Sequence, residues 1–193
     1  MNKQNDVCNN YVDIMERMDA QALTQFNNDK KFFKNIIFNK KGARIDATTI
    51  DRKDRKCHVE MKQRTGKYGD FYTFIEQFST IYLDCGKLDY LSNIMQVSGY
   101  NLNEQELFVS IFNDGDIILI HNLNQPQPIM WLPNQRVWNP AKQRWEYEHK
   151  IGLYWYSASI YEKNKDGHYE KWSDDKIGMY MAIQRDSAIS EED

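Results

Sequence analysis

The strongest constraint in the sequence is a pair of alternating segments on either side of a short charged turn. In residues 43–50 and 57–64, apolar or small side chains alternate with polar ones, which is typical of strands with one buried face. Between them, residues 51–55 (Asp-Arg-Lys-Asp-Arg) predict the turn of a hairpin centred on Lys53. We therefore expect two antiparallel strands in which the numbers of opposed residues add up to 106.

In this register Asp46 lies opposite Glu60, and Lys62 follows on the same face, with Arg44 and His58 as neighbours. Like charges directly opposed in a sheet destabilise it unless a cation lies between them. Two carboxylates beside a lysine therefore predict a site for Mg²⁺ or Mn²⁺, where the metal activates water and neutralises a scissile phosphate while the lysine orients the water. A half-exposed polar sheet face that binds nothing is the alternative interpretation.

The motif letters alone are not specific, because the pattern (D/E)-x-K occurs six times in the chain. Glu60 and Lys62 differ from the other occurrences because they lie in an expected strand with an aspartate at the opposed position. The strand context, rather than the spacing, carries the prediction.

The remaining sequence alternates between helix and strand signals. Apolar residues at helical spacing predict a helix from Tyr11 to Phe26, with Asn10 as its N-cap. Asp114-Gly115 predicts a tight hairpin turn between strands at 107–112 and 117–120, because its central positions favour positive φ. A helix is expected over residues 87–95, and further strands over residues 36–39, 80–84, 151–161 and 178–183.

Composition favours one ordinary globular domain over the 193 residues, with 41% hydrophobic and 27% charged residues. Three cysteines without C-x-x-C spacing argue against a disulfide framework and a structural zinc site. The chain has no apolar run of about 20 residues for a membrane span, and we expect a cytoplasmic protein. It also lacks a glycine-rich phosphate loop and a Gly-x-Ser-x-Gly elbow.

Charge is unevenly distributed along the chain. Residues 30–67 contain thirteen Lys or Arg and four acids, a local charge of +9 in a chain whose net charge is −3. A basic segment on an acidic body is typical of focused binding to a polyanion, although lysines that only solvate turns give the same pattern.

Residues 42–46 (Gly-Ala-Arg-Ile-Asp) and residues 60–64 (Glu-Met-Lys-Gln-Arg), with thirteen residues between them, resemble the core of the PD-(D/E)xK nuclease superfamily, especially its small phage and bacterial members. The expected order of elements over residues 11–123 is similar to that fold. The resemblance implies an α/β domain whose mixed central β-sheet is flanked by helices, a restriction-endonuclease-like core. Residues 124–193 form a β-rich aromatic extension in this interpretation. Ile45 stands where the motif has proline, a position at which many members vary.

The resemblance also implies the roles of individual residues. Asp46 and Glu60 become metal ligands, the main-chain carbonyl of Met61 a third ligand, and Lys62 the catalytic lysine. Some members add an acid from the first helix. Glu16 is the nearest candidate for it, but helical geometry places Glu16 about 100° from the apolar stripe.

Basic residues around the motif are the expected nucleic-acid contacts: Lys41, Arg44, Arg64 and Lys67. Lys87 and Gln77 are further candidates for holding the site or the phosphate, against simple solvation of a helix end and a loop. His58 is the one histidine expected near the site.

Three tryptophans, Trp131, Trp138 and Trp145, lie seven residues apart in a short repeat with interleaved arginines. Exposed tryptophans would stack on nucleic-acid bases. The alternative is that they are buried edges of a β-rich lobe.

We therefore expect a metal-dependent nuclease that hydrolyses phosphodiester bonds, with DNA favoured over RNA and without a membrane partner. A second copy of the chain or a phage protein is a further expected partner. Two alternatives remain open: a nuclease fold kept as a structural or interaction protein without turnover, and a nucleic-acid binder that does not cut.

Overall fold

The computed structural model describes residues 3–40, 43, 45–87, 104–126, 128–139 and 143–189. Its first element is helix α1 (Lys3–Lys30), which begins before the expected start at Tyr11, so Asn10 lies inside the helix and is not its N-cap. Among the side chains of α1 that the structure describes, Ala22, Leu23 and Phe26 are buried against the sheet, at the spacing of one helix face.

Ten strands, two further helices and the first helical residues 85–87 of another follow within the described residues. The strands are β1 (Phe33–Phe38), β2 (Ala47–Asp51), β3 (Lys56–Gln63), β4 (Thr80–Asp84), β5 (Glu104–Phe112), β6 (Ile117–Asn122), β7 (Ile129–Asn139), β8 (Arg144–Tyr154), β9 (Ser159–Lys163) and β10 (Tyr169–Lys171). The helices are α2 (Phe71–Gln77) and α3 (Asp174–Ile189).

Seven of these strands form a mixed sheet in the order β1-β2-β3-β5-β6-β9-β10. The β3–β5 pair is parallel, and its neighbours in the sheet pair antiparallel. A second, three-stranded sheet has the order β4-β8-β7. Strands from residues 124–193 therefore take part in both sheets.

Two hydrophobic cores lie on opposite faces of the seven-stranded sheet. On one face, α1 packs against inward side chains of β3, β5 and β6 such as Val59, Val109 and Ile118. On the other face, α2 and the three-stranded sheet enclose Phe71, Phe112 and other buried side chains, with α3 packed at the margin. The result is a mixed α/β fold whose large sheet is covered on both sides.

Several sequence predictions match these elements and others are wrong. The hairpin at Asp114-Gly115 is confirmed, with positive φ at both residues. Residues 178–183, predicted as a strand, belong instead to helix α3. The strand predicted over 151–161 is interrupted by a 3₁₀ turn at Trp155–Ser157, and the strand predicted over 43–50 begins only at Ala47. The helix predicted over 87–95 lies, apart from Lys87, outside the described residues.

Among the described residues, no helix combines the length and the apolar character that crossing a membrane requires.

Candidate active site

The pairing of β2 with β3 has the register that the sequence predicts. Ala47 lies opposite Val59 and Thr48 opposite His58, so the numbers of opposed residues add up to 106. The buried partners Ala47 and Val59 face α1, which fixes this register because a shift by one residue would expose them. One step beyond Ala47, the chain reaches Asp46 beside Glu60.

Asp46 extends the strand pairing with its side chain. Its main-chain N–H donates to the carbonyl of Val59 at 3.0 Å, and its Oδ2 accepts the N–H of Met61 at 2.6 Å. The Asp46 carboxylate thus takes the place of the main-chain carbonyl that would accept this hydrogen bond if β2 extended further. Because the N–H and C=O of a strand residue point to the same neighbour, the Met61 carbonyl is also directed toward this end of β2.

Glu60 lies next to Asp46 and is paired with a lysine from a distant part of the chain. Lys87 Nζ donates to Glu60 Oε2 at 2.9 Å, and the Glu60 side chain is only 12% exposed. Burial and the charge of Asp46 raise the pKa of Glu60 to about 7, although the Lys87 ammonium opposes this increase. Near neutral pH, this carboxyl group is therefore balanced between its protonated and ionised forms.

A pocket of about 220 Å³ opens at this end of the sheet, between α1 and the ends of β1 and β3. Charged side chains of both signs line it: Asp19, Lys40, Asp46 and Lys87. Phe38, Ile45 and Met61 form its apolar wall. The pocket has room for a small anionic group beside Asp46 and Lys87.

The structure does not gather all the predicted site residues. Lys62 is exposed on the Glu60 face of β3 and forms no ion pair within the described residues. His58 is buried, with Nε2 at 3.6 Å from Glu104 Oε2, and burial lowers its pKa. Gln77 is exposed at the end of α2.

The predicted nucleic-acid contacts are only partly visible. Arg64 donates from Nη2 to the carbonyl of Tyr82 at 3.1 Å, and burial lowers its pKa to about 10. This hydrogen bond connects the end of β3 to β4, so Arg64 has a structural role. Lys41, Arg44 and the side chains of Lys67 and Glu16 lie outside the described part of the chain.

The donors at the site are oxygens, which suit Mg²⁺ or Mn²⁺ better than softer metals. Asp46, Glu60 and the Met61 carbonyl fit such an ion by chemistry, since the two carboxylates are close enough for one to raise the pKa of the other. No group of three or more His, Cys, Asp or Glu side chains within the described ranges is arranged around a common point for a metal ion. Glu60 would have to exchange its bond with Lys87 for a bond to the ion.

Comparison with family models, curated proteins and solved structures finds no match for this chain.

Two residues gain importance from the structure. Lys87 reaches Glu60 across 27 sequence positions, a contact that sequence spacing does not reveal. Asp19 supplies the acidic group from α1 in the pocket, a place for which Glu16 was the nearest candidate. Asp19 had a signal in the sequence, because it stands four and seven residues before the buried Leu23 and Phe26 and so interrupts the apolar stripe.

Proposed function

We propose that this protein is a metal-dependent phosphodiesterase, a nuclease with DNA favoured over RNA as its substrate, whose site is built on Asp46 and Glu60. The observation that carries the proposal is the placement of these two carboxylates side by side where β2 begins, with Asp46, Lys87 and Lys40 lining one pocket. Carboxylates forced together without a cation are unfavourable in a sheet, so their juxtaposition supports a cation-binding role.

Each residue has a defined part in this proposal. Asp46 is held rigidly because Met61 N–H already occupies one of its oxygens. Glu60 would exchange its bond with Lys87 for a bond to the ion, and the Met61 carbonyl would be a third ligand at the same end of β2. Bound there, Mg²⁺ or Mn²⁺ would supply positive charge against the charge that develops on a phosphodiester.

Three lysines act on the substrate. Lys87, once released from Glu60, stands in the pocket as a cation for the phosphate, and Lys62 follows on the exposed face of β3 as the lysine of the motif. Lys40 lines the same pocket and adds a second contact for the nucleic-acid backbone. The restriction-endonuclease-like core and a cytoplasmic place of action belong to the same proposal.

The ion pair between Glu60 and Lys87 favours one alternative, a nuclease fold kept as an interaction protein without turnover. In that case Lys87 permanently neutralises Glu60 and replaces the metal.

Cleavage assays separate the two. The protein is incubated with supercoiled, linear and single-stranded DNA and with RNA, in Mg²⁺, in Mn²⁺ and in EDTA. We expect metal-dependent cleavage that falls at least about 100-fold in Glu60→Gln and Asp46→Asn, because loss of a group acting on the reacting centre costs several kcal/mol.

The matched control is Glu148→Gln, which removes a half-exposed carboxylate paired with Lys150, away from the site. This variant should cleave like the wild type. Absence of cleavage on every substrate, or equal cleavage by Glu60→Gln, would contradict the proposal and favour the interaction protein.

A further inference from the structure

Strands β7 and β8 form a long two-stranded ribbon with an exposed aromatic face. Strand β4 pairs with only the Lys150–Tyr154 part of β8, and Asp84 lies opposite Lys150. Beyond that point, residues 144–149 of β8 pair only with β7 among the described strands. The ribbon therefore projects past the edge of the three-stranded sheet.

One face of this ribbon carries a continuous row of rings. Tyr147 lies opposite Arg136, and Trp145 and His149 share its face because they are two residues away on the same strand. The contacts agree with this placement: Arg136 lies over the Trp145 ring at 4.6 Å, and Trp131 stacks on His149 at 5.8 Å with an angle of 15° between the rings. We call these five residues the aromatic face.

The aromatic face is exposed to a degree that is unusual for such large side chains. Trp131 is 58% exposed, Trp145 53% and Tyr147 72%. The expectation that the tryptophans are buried edges of a β-rich lobe is therefore wrong for Trp131 and Trp145. A contiguous apolar patch of this kind typically marks a binding surface.

The charged side chains of the ribbon favour a ligand that binds by stacking on its rings. Arg144 is paired with Glu146 at 2.7 Å, and Lys150 lies 3.5 Å from Glu148 and 3.2 Å from Asp84, so the acids of the ribbon are neutralised locally. Arg136 already stacks its planar guanidinium on a tryptophan. Alternate rings along β8 are about 6.8 Å apart, so each offers a separate platform for one flat group.

The position of the ribbon connects it with the candidate active site. β8 extends beyond Asp84, the last residue of β4, and the chain leaving β4 carries Lys87 to Glu60 within three residues. On the face of the ribbon that continues the aromatic row, Ile151 and Leu153 are buried in the core against the sheet that bears Glu60. Asp84, which lies opposite Lys150 at the base of the ribbon, is thus three residues along the chain from Lys87 at the site.

We propose that the aromatic face binds the unpaired bases of a single-stranded nucleic acid and feeds its backbone toward the Asp46–Glu60 site. Bases in a duplex are stacked on one another and are not available to these rings, so the ribbon selects single strands or frayed ends. This inference rests on the proposed nuclease function, because it names the form of nucleic acid that the site receives.

The test is a binding assay in EDTA, in which no cleavage can occur. Fluorescence anisotropy of a short labelled oligothymidylate, its oligouridylate counterpart and a blunt duplex is measured with the full chain. Trp145→Ala and Tyr147→Ala should each weaken binding of the single strands about 10-fold, as expected for the loss of one base–aromatic stack.

Two variants serve as controls. Tyr147→Phe keeps the ring and should bind within about twofold of the wild type, as should Met179→Ala, which removes an exposed apolar side chain from α3. Thermal melting shows whether each variant is folded, and Trp145 and Tyr147 are exposed enough that their removal should leave the melting temperature unchanged.

Wild-type affinity for both single strands in Trp145→Ala and Tyr147→Ala would overturn the inference. A second result would also overturn it: the wild type sediments as a dimer, and Trp145→Ala and Tyr147→Ala sediment as monomers. The aromatic face would then be covered by a second copy of the chain. Glu60→Gln separates the two proposals: it should bind single strands normally, so loss of binding only in the ribbon variants supports the ribbon even if no cleavage is ever found.

Discussion

At the scale of single residues, the pKa of Glu60 is set by opposing effects. Burial and the neighbouring Asp46 raise its pKa, the Lys87 ammonium at 2.9 Å lowers it, and the outcome is a pKa of about 7. A divalent cation and a proton compete for the same carboxylate. The affinity for Mg²⁺ should therefore increase as the pH rises through about 7.

Replacing Lys87 tests this balance. In Lys87→Met, burial and Asp46 act on Glu60 without an opposing charge, so its pKa should move above about 7, and the pH at which Mn²⁺ affinity reaches half its plateau should rise with it. Calorimetric titrations with Mn²⁺ over a pH series measure this midpoint.

Lys62→Met is the matched control, since Lys62 is exposed and forms no ion pair within the described part of the chain. Its midpoint should stay at the wild-type value. A shift in Lys62→Met with none in Lys87→Met would mean that the motif lysine, and not Lys87, governs the charge of Glu60.

At the scale of elements, a hydrogen bond from the main chain of β3 to the side chain of Asp46 holds the beginning of β2. Asp46→Ala leaves the Met61 N–H without this acceptor and should destabilise the fold by about 1–2 kcal/mol. Asp46→Asn keeps an oxygen in place and should cost less. Amide hydrogen exchange at Met61 is the measurement: we expect faster exchange in Asp46→Ala and near wild-type exchange in Asp46→Asn. Equal protection of Met61 in both variants would show that this bond does not hold the end of β2.

The hairpin between β5 and β6 depends on Gly115, which has a φ of +100° and whose added Cβ would lie 3.0 Å from the Ala22 Cβ of α1. Gly115→Ala should therefore destabilise the protein by about 1–3 kcal/mol through backbone strain and crowding of α1. Gly178→Ala is the control with the opposite sign, because a Cβ at Gly178 meets nothing within 4 Å and lies in helix α3. It should stabilise the protein by about 0.5–1 kcal/mol in chemical denaturation. Similar losses in both variants would contradict this account of the turn.

Sequence periodicity predicts the elements in which one face is buried and a local turn is defined. The β2–β3 register follows from alternation around a five-residue charged turn, and the β5–β6 hairpin from Asp114-Gly115. The prediction of a strand over residues 178–183 is wrong because these β-forming side chains belong to helix α3, whose start is signalled several residues earlier. Ser173 Oγ accepts the N–H of Lys176 at 3.2 Å, and Asp174 and Asp175 follow in the first turn, a capping signal that outweighs β propensity.

The candidate site shows the same division between local and distant information. Asp46 and Glu60 are neighbours because of the register, which the sequence contains. Lys87 arrives through β4, a strand of the other sheet, and no local pattern indicates where that strand packs. The exposure of Trp145 likewise depends on β8 being longer than β4, which only the three-dimensional pairing reveals.

At the scale of the whole molecule, buried ionisable groups set the pH dependence of stability. Burial raises the pKa of Glu106 to about 8, and Glu60 has a pKa of about 7, both above the ordinary value of 4.5. Each folded carboxyl group binds its proton more tightly than the unfolded one, so each contribution falls as the pH rises from about 4.5 to these values. His121 acts oppositely at low pH, since burial lowers its pKa to about 4 from 6.5.

The free energy of unfolding without metal should therefore decrease between about pH 7, where His121 is mostly neutral in both states, and about pH 8. Glu106→Gln should flatten this decrease and raise stability at pH 8, because a neutral amide replaces a buried carboxylate whose oxygens have no hydrogen-bond partner among the described residues. Urea denaturation at a series of pH values measures how the free energy of unfolding changes with pH. Glu148→Gln, at a half-exposed glutamate, is the control. A slope unchanged in Glu106→Gln would place the pH dependence on other groups.

The central claim, that Asp46 and Glu60 together bind a divalent cation, is tested most directly by diffraction from crystals grown with Mn²⁺ at a pH above about 7, with anomalous data collected at the manganese edge. We predict an anomalous peak about 2–2.6 Å from one oxygen of each carboxylate, with Lys87 Nζ displaced from Glu60. Crystals in which Lys87 still binds Glu60 and no manganese lies beside Asp46 would contradict the account.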